Sequence, residues 1–358
     1  MPDFNREMLI LARERRAFTQ AELAEDTGMS QGEISRFETG MKIPSEQQER
    51  TLASHLHVLT DFFYFSDSKR DFGSGCVYHR KRQSAKETKL RELLALMNFR
   101  RIQIKQLLAA VTATNEYSFD YLDIEEYDYD ASKVAQALRG IWKIPPGPVQ
   151  SVIQVIENAG GIILKSDFGT DRVDALSQWL PGLPPIFLMN DRIPTDRMRW
   201  TLMHEVGHIL MHRFPTVRME READEFAAEF LMPKTQVMPQ LHDITLAKLA
   251  SLKPHWRVAM SALLRRAADL GTITPRTKQY LWTQIGMRGY RKHEPVEIPS
   301  ESPTLLRELL KYHFDLGHDA QALAKMMGIR ESDFVDEYLK NVDLKIERTG
   351  ASHLRLVN

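Results

Sequence analysis

Residues 197–233 read RMRWTLMHEVGHILMHRFPTVRMEREADEFAAEFLMP, and two helices are predicted in them. The first runs from Arg197 to His212, with Thr195 or Asp196 as its cap. The second runs from Glu220 to Leu231 and is ended by Met232-Pro233. On a helix, positions i and i+4 share a face, so His204 and His208 can reach one ion. Leu202, Met203, Val206, Ile209 and Leu210 surround them, as on a buried helix. Zinc accepts imidazole nitrogen and in catalytic sites keeps a position for water. Glu205 stands next to that water and can take its proton. One zinc ion per chain is expected, although two histidines and a carboxylate also hold manganese or iron. The five-residue pattern also arises on ordinary amphipathic helices, so its context carries the weight. The third ligand is expected to be a carboxylate from the second helix.

Other histidines fit less well. The position ten residues after His204 holds Phe214. His212 lies two turns from His204, about 12 Å along the axis, too far to share its ion, and is expected at the surface of a helix end. His242 and His255 have no recommending neighbours. Met97, Met198, Met203, Met211 and Met232 read as packing residues.

Upstream lies the strand-rich part of the chain. Residues 161–164, 175–179 and 186–189 are read as strands, the last two separated by PGLPP. Ile186 to Met189 is expected to be the edge against which a peptide substrate pairs. Pro145-Pro146-Gly147-Pro148 is a break before a helix through Ile156.

The segments MHEVGHILMH and EREADEFAAEFLMP, with GGIILKSDF, PPIFLMNDRIPTDRMRWTLMHE and VAMSALLRRAADLGTIT around them, resemble the ImmA/IrrE family of metallo-endopeptidases over roughly 130–290. The resemblance implies a gluzincin-like site, with His204 and His208 as ligands, Glu205 as base and a second-helix glutamate as third ligand. In gluzincin-like sites that glutamate lies four residues before an aspartate bonded to a ligand histidine. Glu220 and Asp224 have this spacing, whereas four residues after Glu222 stands Phe226. Family members cleave helix-turn-helix repressors and so switch on stress or mobile-element genes, which implies a protein substrate of that class.

The N-terminal stretch FTQAELAEDTGMSQGEISRFETGMKIPS resembles the XRE (Cro/C1-type) helix-turn-helix family. Asn5 to Arg15 reads as a first helix. Thr19 caps a second, from Gln20 to Thr27, and Gly28 stops it. Ser30 caps a third, from Gln31 to Glu38, closed by Gly40. A fourth opens at Pro44-Ser45, with Leu52, Leu56 and Leu59 as its apolar face. Leu23, Ala24, Ile34 and Phe37 face inward. Gln31, Gly32, Glu33, Ser35 and Arg36 face outward, where a recognition helix meets base edges. Gln20 and Ser30 sit at helix N-termini, suited to phosphate contact. Double-stranded DNA is therefore an expected partner. Gly32 stands where the family commonly has Ser or Thr, and Glu33 adds a negative charge. One such module buries little surface, so useful affinity is expected to need a homodimer reading two half-sites. A protein-recognition module is the competing reading.

Elsewhere the chain is less specific. Lys plus Arg and Asp plus Glu each total 48, so net charge selects no partner. Arg80, Lys81, Arg82, Lys86, Lys89, Arg91, Arg100 and Arg101 form a basic stretch, read as a long connecting helix with phosphate contacts or a solvated face. Residues 116–130 are acidic and tyrosine-rich and read as a solvated loop. Cys76 is the single cysteine, which excludes an internal disulfide and suits a reducing cytoplasm. Neither a signal peptide nor a membrane span is read. No internal repeat is read. The expected fold is mainly α with a small β-sheet (α+β). Its parts are a helix-turn-helix domain over 1–65, a linker and connecting helix over 66–130, a metallopeptidase domain over 131–240 and a C-terminal helical region over 241–358. Two functions compete: a regulatory zinc endopeptidase coupled to DNA binding, and a transcriptional regulator or antitoxin-like protein with a non-catalytic metal-sensing site. Glu205 favours the enzyme, because a structural site has no use for it.

Overall fold

A computed structural model describes residues 3–69, 87–109, 111–113, 116–340 and 354–356. Cys76, Arg80, Lys81, Arg82, Lys86 and most of the expected 66–75 linker lie outside them. The chain begins with α1 (Arg6–Arg15), α2 (Gln20–Thr27), α3 (Gln31–Thr39) and α4 (Glu46–Leu56). Three of these start with a reciprocal capping box: Thr19 with Glu22, Ser30 with Glu33 and Ser45 with Gln48. Each box satisfies two of the backbone donors that a helix start leaves over. Gly28 and Gly40 close α2 and α3 at φ 70° and 77°, a region open to glycine at little cost. The fourth helix stops at Leu56, so Leu59 belongs to the turn beyond it.

The long α5 (Glu87–Leu108) follows. It is apolar on most sides and buries Leu93, Leu96, Met97, Ile102 and Leu107. Two of its basic residues are not solvated, contrary to expectation. Arg101 reaches the Asp67 carboxylate at 2.8 Å and Arg100 reaches Glu337 at 2.6 Å, both arginines being buried. Position within a wrapped helix, rather than charge, decides their surroundings. Asn5 donates to the Asp67 carbonyl, so the start of the expected linker is pinned between α1 and α5.

β1 (Val111–Ala113) pairs antiparallel with a strand at Leu354–Leu356. After α6 (Ala131–Ile141) and α7 (Val152–Asn158) come β2 (Ile162–Ser166), β3 (Ala175–Gln178) and β4 (Ile186–Asn190). The sheet order is β2-β4-β3, with β2 parallel and β3 antiparallel to β4. Residues 186–189 are therefore central, not an edge, and the outer strand nearer the site is β3. Neighbours along the chain did not reveal this, because the crossover from β2 skips a position.

Alternation along these strands separates two cores. Ile162, Leu164, Leu176, Ile186 and Leu188 join the core that holds the first four helices and α5. Ile163, Ala175, Phe187 and Met189 join the core of the helices described next. Burial on both faces explains the unbroken apolar runs. α8 (Thr195–Met211) and α9 (Met219–Leu231) carry the quoted stretch, and α10 (Leu246–Trp256), α11 (Met260–Asp269) and α12 (Pro275–Met287) pack beyond them. Pro194, not Thr195 or Asp196, takes the cap position of α8. The last helices, α13 (Leu305–Asp315), α14 (Ala320–Met326) and α15 (Glu331–Phe334, continued by a π-turn Val335–Leu339), return to the first core. The fold is thus α+β and mainly helical. Among the described residues no helix is long and apolar enough to cross a membrane.

Candidate metal centre and nucleic-acid interface

Helices α8 and α9 approach closely at Gly207. A Cβ built there would lie 3.0 Å from the Phe226 ring and 3.4 Å from the Ala223 Cα. This contact brings the acidic start of α9 beside the two histidines of α8. His204 Nε2 and His208 Nε2 lie 3.0 Å apart. Glu220 places its oxygens 3.5 Å from the first and 3.4 Å from the second. The three side chains offer ligand atoms within 4.8 Å of one another.

The outer ring nitrogens are engaged elsewhere. His204 Nδ1 lies 3.0 Å from Asp224 Oδ1, and Arg265 from α11 holds the other Asp224 oxygen at 2.9 Å. A carboxylate only accepts, so His204 keeps a proton on Nδ1, and Nε2 is the atom it turns toward His208 and Glu220. His208 Nδ1 meets His212 Nδ1 at 3.0 Å, and His212 Nε2 meets Glu222 at 3.1 Å. Glu222 accepts the hydrogen bond from His212 Nε2–H. The free His212 Nδ1 then accepts from His208, which frees His208 Nε2. His212 is buried, not a surface residue as expected. His212 stays outside the inner cluster, as its distance from His204 along the helix dictates, but it holds a member of that cluster. His204, His208 and His212 are spaced by four residues on one face, and that was the available signal.

Charges follow the geometry. Burial alone would lower His204, but hydrogen bonding to Asp224 and Glu220 raises it to about 9. Burial, then the neighbouring His208 and His204, pushes His212 down to about 3, so it is neutral. Burial would raise Glu220, yet its bonds to His204 and His208 hold it well below the usual carboxylate range. A positive charge is therefore stabilised between these side chains, where a cation would sit. Two converging imidazole nitrogens and one carboxylate are a donor set that fits zinc. Glu205 is fully buried and accepts from Ser177 Oγ of β3 at 2.7 Å. Its charge raises both His204 and His208, which locates it beside them. Ser177, Glu222 and Arg265 escaped sequence reasoning because each comes from another turn or element.

The acidic loop is packed rather than freely solvated. Phe119 stacks edge-on against Trp142, and the Leu122 N–H and Tyr121 hydroxyl donate to the Leu210 and Met211 carbonyls at the end of α8.

In the first four helices, Leu23, Ala24, Ile34 and Phe37 are buried as expected. Gln31 and Arg36 are exposed and Ser35 half-buried, and their side chains make no bonds to other described residues. Ser30 and Glu33 serve the capping box, and Glu33 also pairs with Lys42 at 3.1 Å. The Gln20 amide donates to Glu38, itself paired with Arg13. Gln20 and Glu33 thus have internal duties that their place on the surface did not reveal.

A half-buried His–Glu cluster that could hold a metal ion, behind a helix-turn-helix unit, defines a two-part protein. Residues 156–268 match the family model of the IrrE N-terminal-like domain, Peptidase M78, and residues 9–61 match that of a helix-turn-helix domain. The chain therefore carries an ImmA/IrrE-type peptidase domain behind an XRE-type helix-turn-helix domain. The first match contains every residue of the His–Glu cluster and Arg265. Comparison with curated proteins and with solved structures gave no match.

Proposed function

We propose that this chain is a zinc-dependent endopeptidase acting on a protein, most plainly a helix-turn-helix repressor, and that its N-terminal unit binds DNA. His204, His208 and Glu220 hold the metal, and Asp224 orients His204. The observation that carries this is the convergence of two Nε2 atoms and the Glu220 carboxylate, with both outer ring nitrogens engaged. When bound, zinc polarises a carbonyl and acidifies water. Glu205 takes the water proton, and Ser177 holds its carboxylate in place. The outer strand β3 is the one beside this base, so the pairing role expected of 186–189 passes to it. Gln31, Ser35 and Arg36 supply the DNA contacts, and a cytoplasmic location suits both activities.

The test is incubation of the purified protein with helix-turn-helix repressors encoded near it, with and without zinc. Wild type should cut one of them only with metal. Glu205→Gln should bind metal normally and lose cleavage by at least about a hundredfold, the scale of a lost general base. Cleavage by Glu205→Gln at the wild-type rate would refute the mechanism.

A further inference from the structure

The described residues contain a repeat that the sequence reading missed. Residues 319–339 follow residues 19–39 at a constant offset of 300, with only Leu23/Leu323, Ala24/Ala324 and Gly28/Gly328 identical. The local structure agrees position by position. Thr19 and Asp319 both cap a helix by accepting from the N–H three residues on. Leu323 and Ala324 are buried like Leu23 and Ala24. Gly28 and Gly328 turn the chain at φ 70° and 72°. Met29 N–H donates to Ala24 and Ile329 N–H to Ala324, each at 3.0 Å. Ser30 and Arg330 cap the next helix in extended conformation, and Ile34 and Phe334 are fully buried beneath it. The copies diverge only afterwards. The π-turn at Val335–Leu339 inserts one residue, so the buried aromatic moves from Phe37 in the first copy to Tyr338 in the second.

The surfaces differ. The outward positions Gln31, Gly32, Ser35 and Arg36 correspond to Glu331, Ser332, Val335 and Asp336. Two acids and no base now face solvent, which opposes phosphate. Arg330, in the place of Ser30, donates instead to the Ser54 carbonyl of the first unit. The second turn is pressed against the end of that unit. Leu59 N–H donates to the Gly328 carbonyl at 3.0 Å, and Val58 bridges Ile329. A Cβ on Gly328 would lie 2.9 Å from Phe62 and 3.0 Å from Phe65, whereas Gly28 has open space. Glu337 pairs with Arg100 at 2.6 Å and Arg15 at 3.3 Å.

We infer that residues 319–339 are a second helix-turn-helix unit that has kept the scaffold and lost the reading face, and that it serves as the fixed in-chain partner of the first. The surface formed by Val58, Leu59, Phe62 and Phe65 is a docking surface for a helix-turn-helix unit, and the chain fills it itself. DNA binding, on the reading proposed above, then uses one recognition helix per chain, and a homodimer through this surface is closed.

Hydrogen exchange on the full-length protein tests the docking. The amides of residues 57–63 should be protected in wild type and in Gly28→Ala. In Gly328→Ala, and in the milder Glu337→Lys, their exchange should rise at least about tenfold, a small change in opening free energy, while residues 195–231 stay protected. Unchanged exchange at 57–63 in both variants would overturn the inference, whether or not the protein binds DNA. For the reading face, a duplex from the protein's own promoter is titrated against Arg36→Ala and the double variant Glu331→Ala/Asp336→Ala. The double variant should bind as wild type does. Binding lost in that variant would make the second unit a reader and equally overturn the inference.

Discussion

At the scale of single residues, the question is how neutral imidazole nitrogens are presented to a cation. His204 solves it through Asp224, and His208 through His212 and then Glu222. Removing such supporting groups typically costs ten- to a hundredfold in metal affinity. We expect about that loss in His212→Ala, measured by competition with a chromophoric chelator. His212→Asn keeps an acceptor where Nδ1 stood and should lose far less. Equal affinity in wild type and His212→Ala would show that His208 needs no such support. The protonation of His204 makes affinity pH-dependent. With its pKa raised to about 9 in the metal-free protein, His204 carries at neutral pH a proton that the metal must displace. Affinity should therefore rise with pH, about tenfold per unit through this one proton, and flatten above about pH 9. A flat profile between pH 6 and 8 would contradict that assignment. His204, Glu205 and His208 were legible because four-residue spacing on a helix is itself geometry. The roles of Ser177, Glu222 and Arg265 were not, because nothing local states which strand or helix faces α8.

Between elements, Gly207 sets the spacing of α8 and α9. Replacing glycine by alanine in a helix interior gains about 1 kcal/mol in propensity. Here the new methyl meets the Phe226 ring, which is fully buried and stacked on Phe230. Overpacking of this sort costs about 1–3 kcal/mol, so the steric effect should win. Gly207→Ala should melt earlier and, by shifting α9, move Glu220 away from the histidines and weaken metal binding. A variant more stable than wild type with full metal affinity would show that the helices separate freely. Elements with local instructions were readable: the Thr19 and Ser30 caps, the glycine turns and the α8 pattern all lie within a few residues. Strand order was not, and the edge assigned to 186–189 proved central because β2 and β3, which both precede it in the sequence, pair with opposite sides of it.

Across the whole molecule, the first four helices are not a bead on a string. Phe62 is buried with its ring centroid 4.9 Å from that of Phe99 on α5, and Gly328 presses on it from the other side. Each large apolar side chain exposed by cutting the chain at residue 65 costs about 1.5–3 kcal/mol, against the roughly 5–15 kcal/mol that holds a domain folded. Residues 1–65 alone should therefore unfold well below the full-length protein in thermal melts followed by circular dichroism. An isolated fragment melting at the full-length temperature would show that it needs neither α5 nor the C-terminal helices. The sequence by itself determined the local facts: which stretches are helical, where several of the N-terminal helices start and stop, which histidines share a face, and that the class is α+β. Helical periodicity, caps and turns act within a few residues and leave their mark there. Tertiary structure alone decided that His212 supports His208, that Arg100 and Arg101 are buried pairs, and that residues 319–339 repeat residues 19–39. Those outcomes depend on partners far along the chain, and a scaffold needs only a buried face and a glycine turn, so the rest of its sequence is free to diverge.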